Sequence, residues 1–198
     1  MARTDRPRLV AVRHGTTLWS QTRRHTGRSD IPLEPEGMTQ AIEVGRRLTG
    51  HSFCSVLSSP LERARETCAL AGFGERAEIS DDLAEWDYGE MEGLTTEEVR
   101  IERPGWDIWT DGVVGGETLA EVGARAQRIV DEVRSAPGDV LVFGHAHILR
   151  IVAAVWIGSD ARTGRSFSLE PASISVLGWE RETPVVLRWN NSTADPLS

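Results

Sequence analysis

Short apolar runs alternate with longer stretches in which apolar residues recur every three or four positions. Leu9-Val10-Ala11-Val12 is the first such run, and it stops at Arg13-His14-Gly15. An unbroken run of this length reads as a strand buried on both faces. Residues 16–36 are polar and carry Gly27, Pro32 and Pro35, which predicts a long loop, and long ordered loops in compact domains are usually functional. Met38, Ala41, Ile42, Gly45 and Leu48 have helical spacing over 37–48, with Gly50 as the stop. A second strand follows over 52–57. Ser58-Ser59-Pro60 then opens a helix, with Ser59 as N-cap and Pro60 in the first turn, running to about Ala71 before Gly72. Residues 77–79 read as a short strand, and 80–116 as mostly loop with one helix over 96–102. An amphipathic helix spans 117–134 on Leu119, Val122, Ala126, Ile129, Val130 and Val133. The strand over 139–143 ends in Gly144-His145, and a buried helix covers 148–157. Strands over 173–179 and 185–189 close the pattern, and 190–198 read as a frayed tail.

Strands that alternate with helices predict an α/β fold with a mainly parallel central sheet flanked by helices. A chain of 198 residues suits one domain spanning 1–198. The net charge of −8 disfavours nucleic-acid and membrane-surface partners, yet leaves room for a locally positive cleft. Cys54 and Cys68 fit no metal or redox spacing and read as reduced, buried thiols. No signal-peptide pattern follows the polar first eight residues, and no apolar run has the length of a membrane span. The expectation is a soluble, cytoplasmic protein.

In open α/β sheets, ligands bind beyond the carboxyl ends of the strands. Three strand ends here carry polar residues. The first holds Arg13-His14-Gly15, the second feeds a helix carrying Arg63, and the fourth ends in Gly144-His145. A neutral, tautomer-fixed histidine is a nucleophile toward phosphorus, and arginine matches phosphate oxygens with planar paired donors. Arg63 in isolation also fits a solvated helix face. His147 reads as a supporting or structural residue. The spacing His145-Ala146-His147 is not that of a zinc site, and arginines beside the nucleophile disfavour a cation, so no metal and no cofactor are expected. A proton donor must come from Glu85, Asp87, Glu90 or Glu92, and burial against Trp86 would suit that role. The residues alone leave the choice among the four open.

Arg13-His14-Gly15, the 58–64 segment Ser-Ser-Pro-Leu-Glu-Arg-Ala, the 85–95 segment Glu-Trp-Asp-Tyr-Gly-Glu-Met-Glu-Gly-Leu-Thr and Gly144-His145 resemble, in order, the motifs of the histidine phosphatase superfamily, also called phosphoglycerate mutase-like. The resemblance covers essentially the whole chain. It implies a three-layer sandwich. It also implies that His14 is transiently phosphorylated, that Arg13, Arg63 and His145 bind the phosphoryl group, and that Glu85 is the proton donor. Thr26 and Gly27 would line the substrate side, and Ser20 falls where the mutases carry an asparagine. Glu117, in a Gly-Glu-Thr element, reads as supporting.

Where mutases show paired arginines after a tryptophan, this chain has Thr110 and Asp111, which would repel a phosphoglycerate. The Glu-Trp-Asp-Tyr-Gly motif resembles the small bacterial acid phosphatases and the sedoheptulose-bisphosphatase branch. The expected function is therefore hydrolysis of small phosphorylated metabolites with an acid optimum. A phosphoglycerate mutase and a non-catalytic phosphate-binding module are the alternatives. Trp19, Trp86 and Trp109 are candidates for the cleft wall, with the core as the default. A homodimer is compatible with the family, and the apolar late strands offer an edge for it.

Overall fold

Alternation inside the strands divides the interior in two. The computed structural model describes residues 6–192. From the amino end its elements are β1 (Leu9–Arg13), α1 (Leu18–Gln21), α2 (Pro35–Arg47), β2 (Ser55–Ser58), α3 (Glu62–Leu70) and β3 (Ala77–Ile79). They continue as α4 (Thr96–Glu102), α5 (Ile108–Asp111), α6 (Leu119–Ser135), β4 (Val140–Gly144), α7 (Ala146–Trp156), β5 (Ile174–Glu180) and β6 (Thr183–Asn191). Leu9 and Ala11 of β1, with Val140 and Val142 of β4, join one apolar cluster together with α6 and α7. Val10, Val12, Leu141 and Phe143 point the other way and pack with Val44 of α2 and Cys68 of α3. Helices thus cover both faces of the sheet, as buried runs in the central strands require.

The six strands lie in the order β3-β2-β4-β1-β5-β6. The first four are mutually parallel, while β5 runs antiparallel to β1 and β6 antiparallel to β5. The mainly parallel α/β sandwich read from the sequence is therefore present, with an antiparallel edge. Register places the chemistry. Arg13 pairs with Gly144 across β1 and β4, and Ser58 pairs with Phe143 across β2 and β4. The His14 amide donates to the Gly144 carbonyl at 3.0 Å, and the Ser59 amide to the Phe143 carbonyl at 2.9 Å. Three strand ends meet at one edge.

Several boundaries differ from the sequence reading. The loop after β1 contains α1, closed by a capping box between Thr17 and Ser20. Helix α3 starts at Glu62 with Leu61 as N-cap, while the Ser59 hydroxyl accepts from the Leu61 amide at 3.3 Å and lies 2.7 Å from His145 Nε2. Thr118, not Glu117, opens α6, through a capping box with Glu121. Strand β6 runs through Asn190 and Asn191, two positions expected to fray, while residues 193–198 lie outside the described residues. Both cysteines are free thiols; Cys68 is buried as expected, but Cys54 is exposed, its thiol donating to the Gly138 carbonyl. Among the described residues no helix is long and apolar enough to cross a membrane.

Candidate active site

His14 follows β1 directly and is almost fully buried. Its Nδ1 lies 2.7 Å from the Gly15 carbonyl. A carbonyl only accepts, so Nδ1 carries the proton and Nε2 keeps its lone pair. Burial pushes the His14 pKa well below 6.5, and the charges of Arg63 and Arg13 push it further. Gly15 serves packing rather than ligand approach. A Cβ there would sit 2.5 Å from the Gly37 carbonyl oxygen, so α2 can dock only against a glycine.

His145 caps the fourth strand end, fully buried, its ring 5.2 Å from that of His14. Its Nδ1 accepts from Arg63 Nε at 3.1 Å, which leaves the proton on Nε2 for the Ser59 hydroxyl. Its pKa is also held well below 6.5, by burial first and then by Arg63. Arg63 is no solvated helix residue; it is fully buried. Its Nη1 donates to the Ser29 carbonyl and its Nη2 to the carbonyls of Thr26 and Gly27. Glu92 completes this cage from behind, its carboxylate accepting from the amides of Gly27 and Ser29 at 2.9–3.1 Å.

A cavity of about 410 Å³ opens over these strand ends. It is lined by Arg13, His14, Ser20, Thr26 and Glu85 among the residues expected from the sequence. Arg63, His145 and Gly27 are not on its wall but directly behind it, in the hydrogen-bonded cage just described. Arg13 donates through Nη1 to the Leu169 carbonyl, whereas its Nε is buried without a partner. An orphaned buried donor costs roughly 1–3 kcal/mol. Burial lowers the Arg13 pKa, with Glu85 and Glu170 acting in the opposite direction. A larger groove of about 630 Å³ runs along α2 but contains none of the motif residues, so the chemistry favours the smaller cavity.

Position chooses among the four carboxylates. Only Glu85 lines the cavity. Asp87 pairs with Arg28, Glu90 is exposed, and Glu92 holds the Arg63 cage. The Glu85 carboxylate accepts from the amides of Trp86, His147 and Ile148 at 2.9–3.0 Å, so it sits at the amino end of α7 among backbone N–H groups. Trp86 and Trp109 are core residues, packed edge to face, and neither lines the cavity; Trp19 is half-buried and lies against Gly93. Glu117 is a structural clamp. It pairs with Arg125 and accepts from the Asp87 amide, while Arg125 donates to the carbonyls of Asp82 and Ala84.

The sequence reading missed part of the wall. Tyr88 and His147 share a hydrogen bond of 2.5 Å and both face the cavity. Burial raises the Tyr88 pKa well above 10 and holds that of His147 well below 6.5, so this is a neutral pair. Glu170 and Pro171 come from the segment before β5, far along the chain, and carried no motif signal. Thr110 and Asp111 are not on the wall. Asp111 folds back onto the Asp107 amide. Among the described residues no three His, Cys, Asp or Glu side chains form a metal-holding group.

The model of the histidine phosphatase superfamily (branch 1) matches residues 9–192. An acid phosphatase of Mycobacterium tuberculosis is 39% identical over 178 residues, covering 87% of either chain. The sedoheptulose 1,7-bisphosphatase of Saccharomyces cerevisiae is 35% identical over 185 residues, 77% of this chain and 68% of the yeast protein. A solved structure of a Mycobacterium tuberculosis open reading frame superposes with a TM-score of 0.88 at 36% identity, covering 94% of this chain and 98% of that one. The motif order, the register that gathers it and the family match agree, and the chain belongs to the histidine phosphatase superfamily, branch 1.

Proposed function

We propose that this chain hydrolyses phosphomonoesters of small metabolites through a phosphohistidine on His14. The observation that carries this reading is the neutral, tautomer-fixed His14 on the same cavity wall as Arg13. A nucleophilic lone pair and a guanidinium on one wall suit a phosphoryl group. In the first step His14 Nε2 attacks phosphorus as the ester P–O bond breaks, and Glu85 protonates the departing alcohol. In the second, Glu85 takes a proton from water, the water oxygen attacks phosphorus, and the P–N bond breaks to release phosphate. Arg13 offsets the charge on the equatorial oxygens from the wall, and Arg63, braced by His145, adds its charge from behind. The names of the relatives, an acid phosphatase and a bisphosphatase, support hydrolysis over phosphoryl transfer between substrate positions. The chemistry sits on arginines, histidines and one carboxylate, so turnover should not require a metal.

The test is steady-state hydrolysis of p-nitrophenyl phosphate from about pH 4 to about pH 8, with and without EDTA, for wild type and His14→Ala. Turnover should resist EDTA and fall by roughly 10³-fold or more in the variant, the scale of a lost nucleophile. Rapid acid-free quenching and mass spectrometry should place an acid-labile phosphate on His14. No turnover by the wild type would sink the hydrolase reading and leave a mutase or a binding module.

A further inference from the structure

Three arginines line the cavity: Arg13, Arg23 and Arg24. Two of them are committed. Arg13 donates to the Leu169 carbonyl beside His14, and Arg24 binds the Gly93 carbonyl at 2.6 Å and Glu98 at 3.0 and 3.3 Å. The Arg23 guanidinium has no hydrogen bond, ion pair or ring contact among the described residues, and its side chain is exposed.

Its backbone is nevertheless fixed. Arg23 has φ of 56°, in the left-handed region that L-residues with a Cβ avoid. It closes the carboxyl end of α1 as a helix cap, with the Arg23 amide donating to the Ser20 carbonyl at 3.4 Å. The Arg24 amide donates to the Trp19 carbonyl at 2.9 Å, and Arg24 forms an isolated antiparallel bridge with Thr95 at the start of α4. An arginine whose backbone is fixed and whose charge is unpartnered on the cavity wall points to a ligand. The two carboxylates on the wall do not answer that charge. Glu85 is occupied by three backbone amides, and both Glu85 and Glu170 act on Arg13, at the His14 end. The chain has no lysine, so the cavity's cations are all arginines, which stay charged at every working pH.

We propose that Arg23 is a specificity residue that binds a second anionic group of the substrate, a phosphate or a carboxylate, while the reacting phosphate sits at His14. The preferred substrates are then bisphosphates or phosphorylated acids rather than simple monoesters. This rests on the hydrolase reading for its kinetics but not for its binding.

The experiment compares butyl phosphate, 1,4-butanediol bisphosphate and 4-phosphooxybutanoate as substrates of the wild type, Arg23→Gln and Arg23→Lys. For the wild type, kcat/KM should be higher for one or both probes with a second anionic group than for butyl phosphate, and the better of the two identifies the second anion. In Arg23→Gln that preference should shrink roughly 10-fold, through KM rather than kcat, as expected when binding common to ground and transition states is removed. Arg23→Lys should recover part of it. A wild type with no preference overturns the proposal, as does a Gln variant whose preference is unchanged. If the wild type hydrolyses none of the three, the hydrolase reading fails on its own. Calorimetric Kd values for the same probes then give the same ratio and decide Arg23 separately.

Discussion

A histidine attacks phosphorus only while its reacting nitrogen holds a lone pair, so on the proposed mechanism the environment of His14 sets the acid limb of the rate. Burial and two neighbouring arginines hold it neutral well below its ordinary 6.5. The nucleophile therefore stays competent in mildly acidic solution, where a carboxyl donor is also best supplied with protons. The acid limb of kcat/KM for p-nitrophenyl phosphate should lie clearly below pH 6.5; a limb at or above that value would contradict the neutral His14. Glu85 is tested by leaving group. A donor matters most when the departing alcohol is a poor leaving group, so Glu85→Gln should cost roughly 10²–10⁴-fold for an alkyl phosphate. The loss should be far smaller for p-nitrophenyl phosphate, whose phenolate leaves unaided. Equal losses on the two substrates would remove Glu85 from the proton-donor role. At this scale the sequence exposed Arg13, His14 and His145, because polar residues at the ends of apolar runs stand out. Arg63 was ambiguous, since nothing local distinguishes a caged arginine from a solvated one. Glu170 was invisible, because only the tertiary fold brings the segment before β5 to the cavity.

Elements supply the geometry that residues alone lack. The β1–β4 and β2–β4 registers fix the spacing of the three strand ends, and a one-residue slip would exchange the two cores and scatter the site. The loop after α1 is fixed differently, by a chain of contacts from Glu92 through the Gly27 and Ser29 amides to the carbonyls that grip Arg63, and on to His145. Glu92→Ala should release that loop. Charge-assisted bonds of this kind contribute about 1.5–3 kcal/mol each. Hydrogen exchange at Gly27 and Ser29 should accelerate markedly while the amides of β1 and β4 stay protected, and kcat should fall as His145 loses its orientation. Unchanged exchange at 27–29 would show that the cage holds without Glu92. Long periodic elements such as α6 and the central strands were legible because each buries a repeating stripe or run. The four-residue helices α1 and α5 were not, since a single turn carries no period.

Across the whole molecule the cost of this design is paid in pH sensitivity. Four histidines, His14, His25, His145 and His147, are held below their ordinary pKa, each by burial first. In the unfolded chain they titrate near 6.5, so below that pH the unfolded state binds more protons than the folded one. Stability then falls as pH falls, by at most about 1.4 kcal/mol per pH unit for each histidine that stays neutral when folded. The shifted carboxylates act elsewhere. Glu98 and Glu121 are lowered from 4.5, so their stabilisation is lost only as pH falls below that value. Glu132 is raised and works in the opposite direction. The interval between about pH 6.5 and about pH 5 therefore belongs mainly to the histidines. For a chain of this size 1 kcal/mol corresponds to roughly 2–4 °C in Tm. Thermal melts should accordingly drop by several degrees per pH unit across that interval, and inorganic phosphate should offset part of the drop by occupying the cavity. A Tm that stays flat from pH 6.5 to pH 5 would mean that the histidines are protonated in the folded state. That outcome would undermine the neutral nucleophile as well, since the burial that destabilises the fold in acid is the same burial that keeps His14 ready to attack.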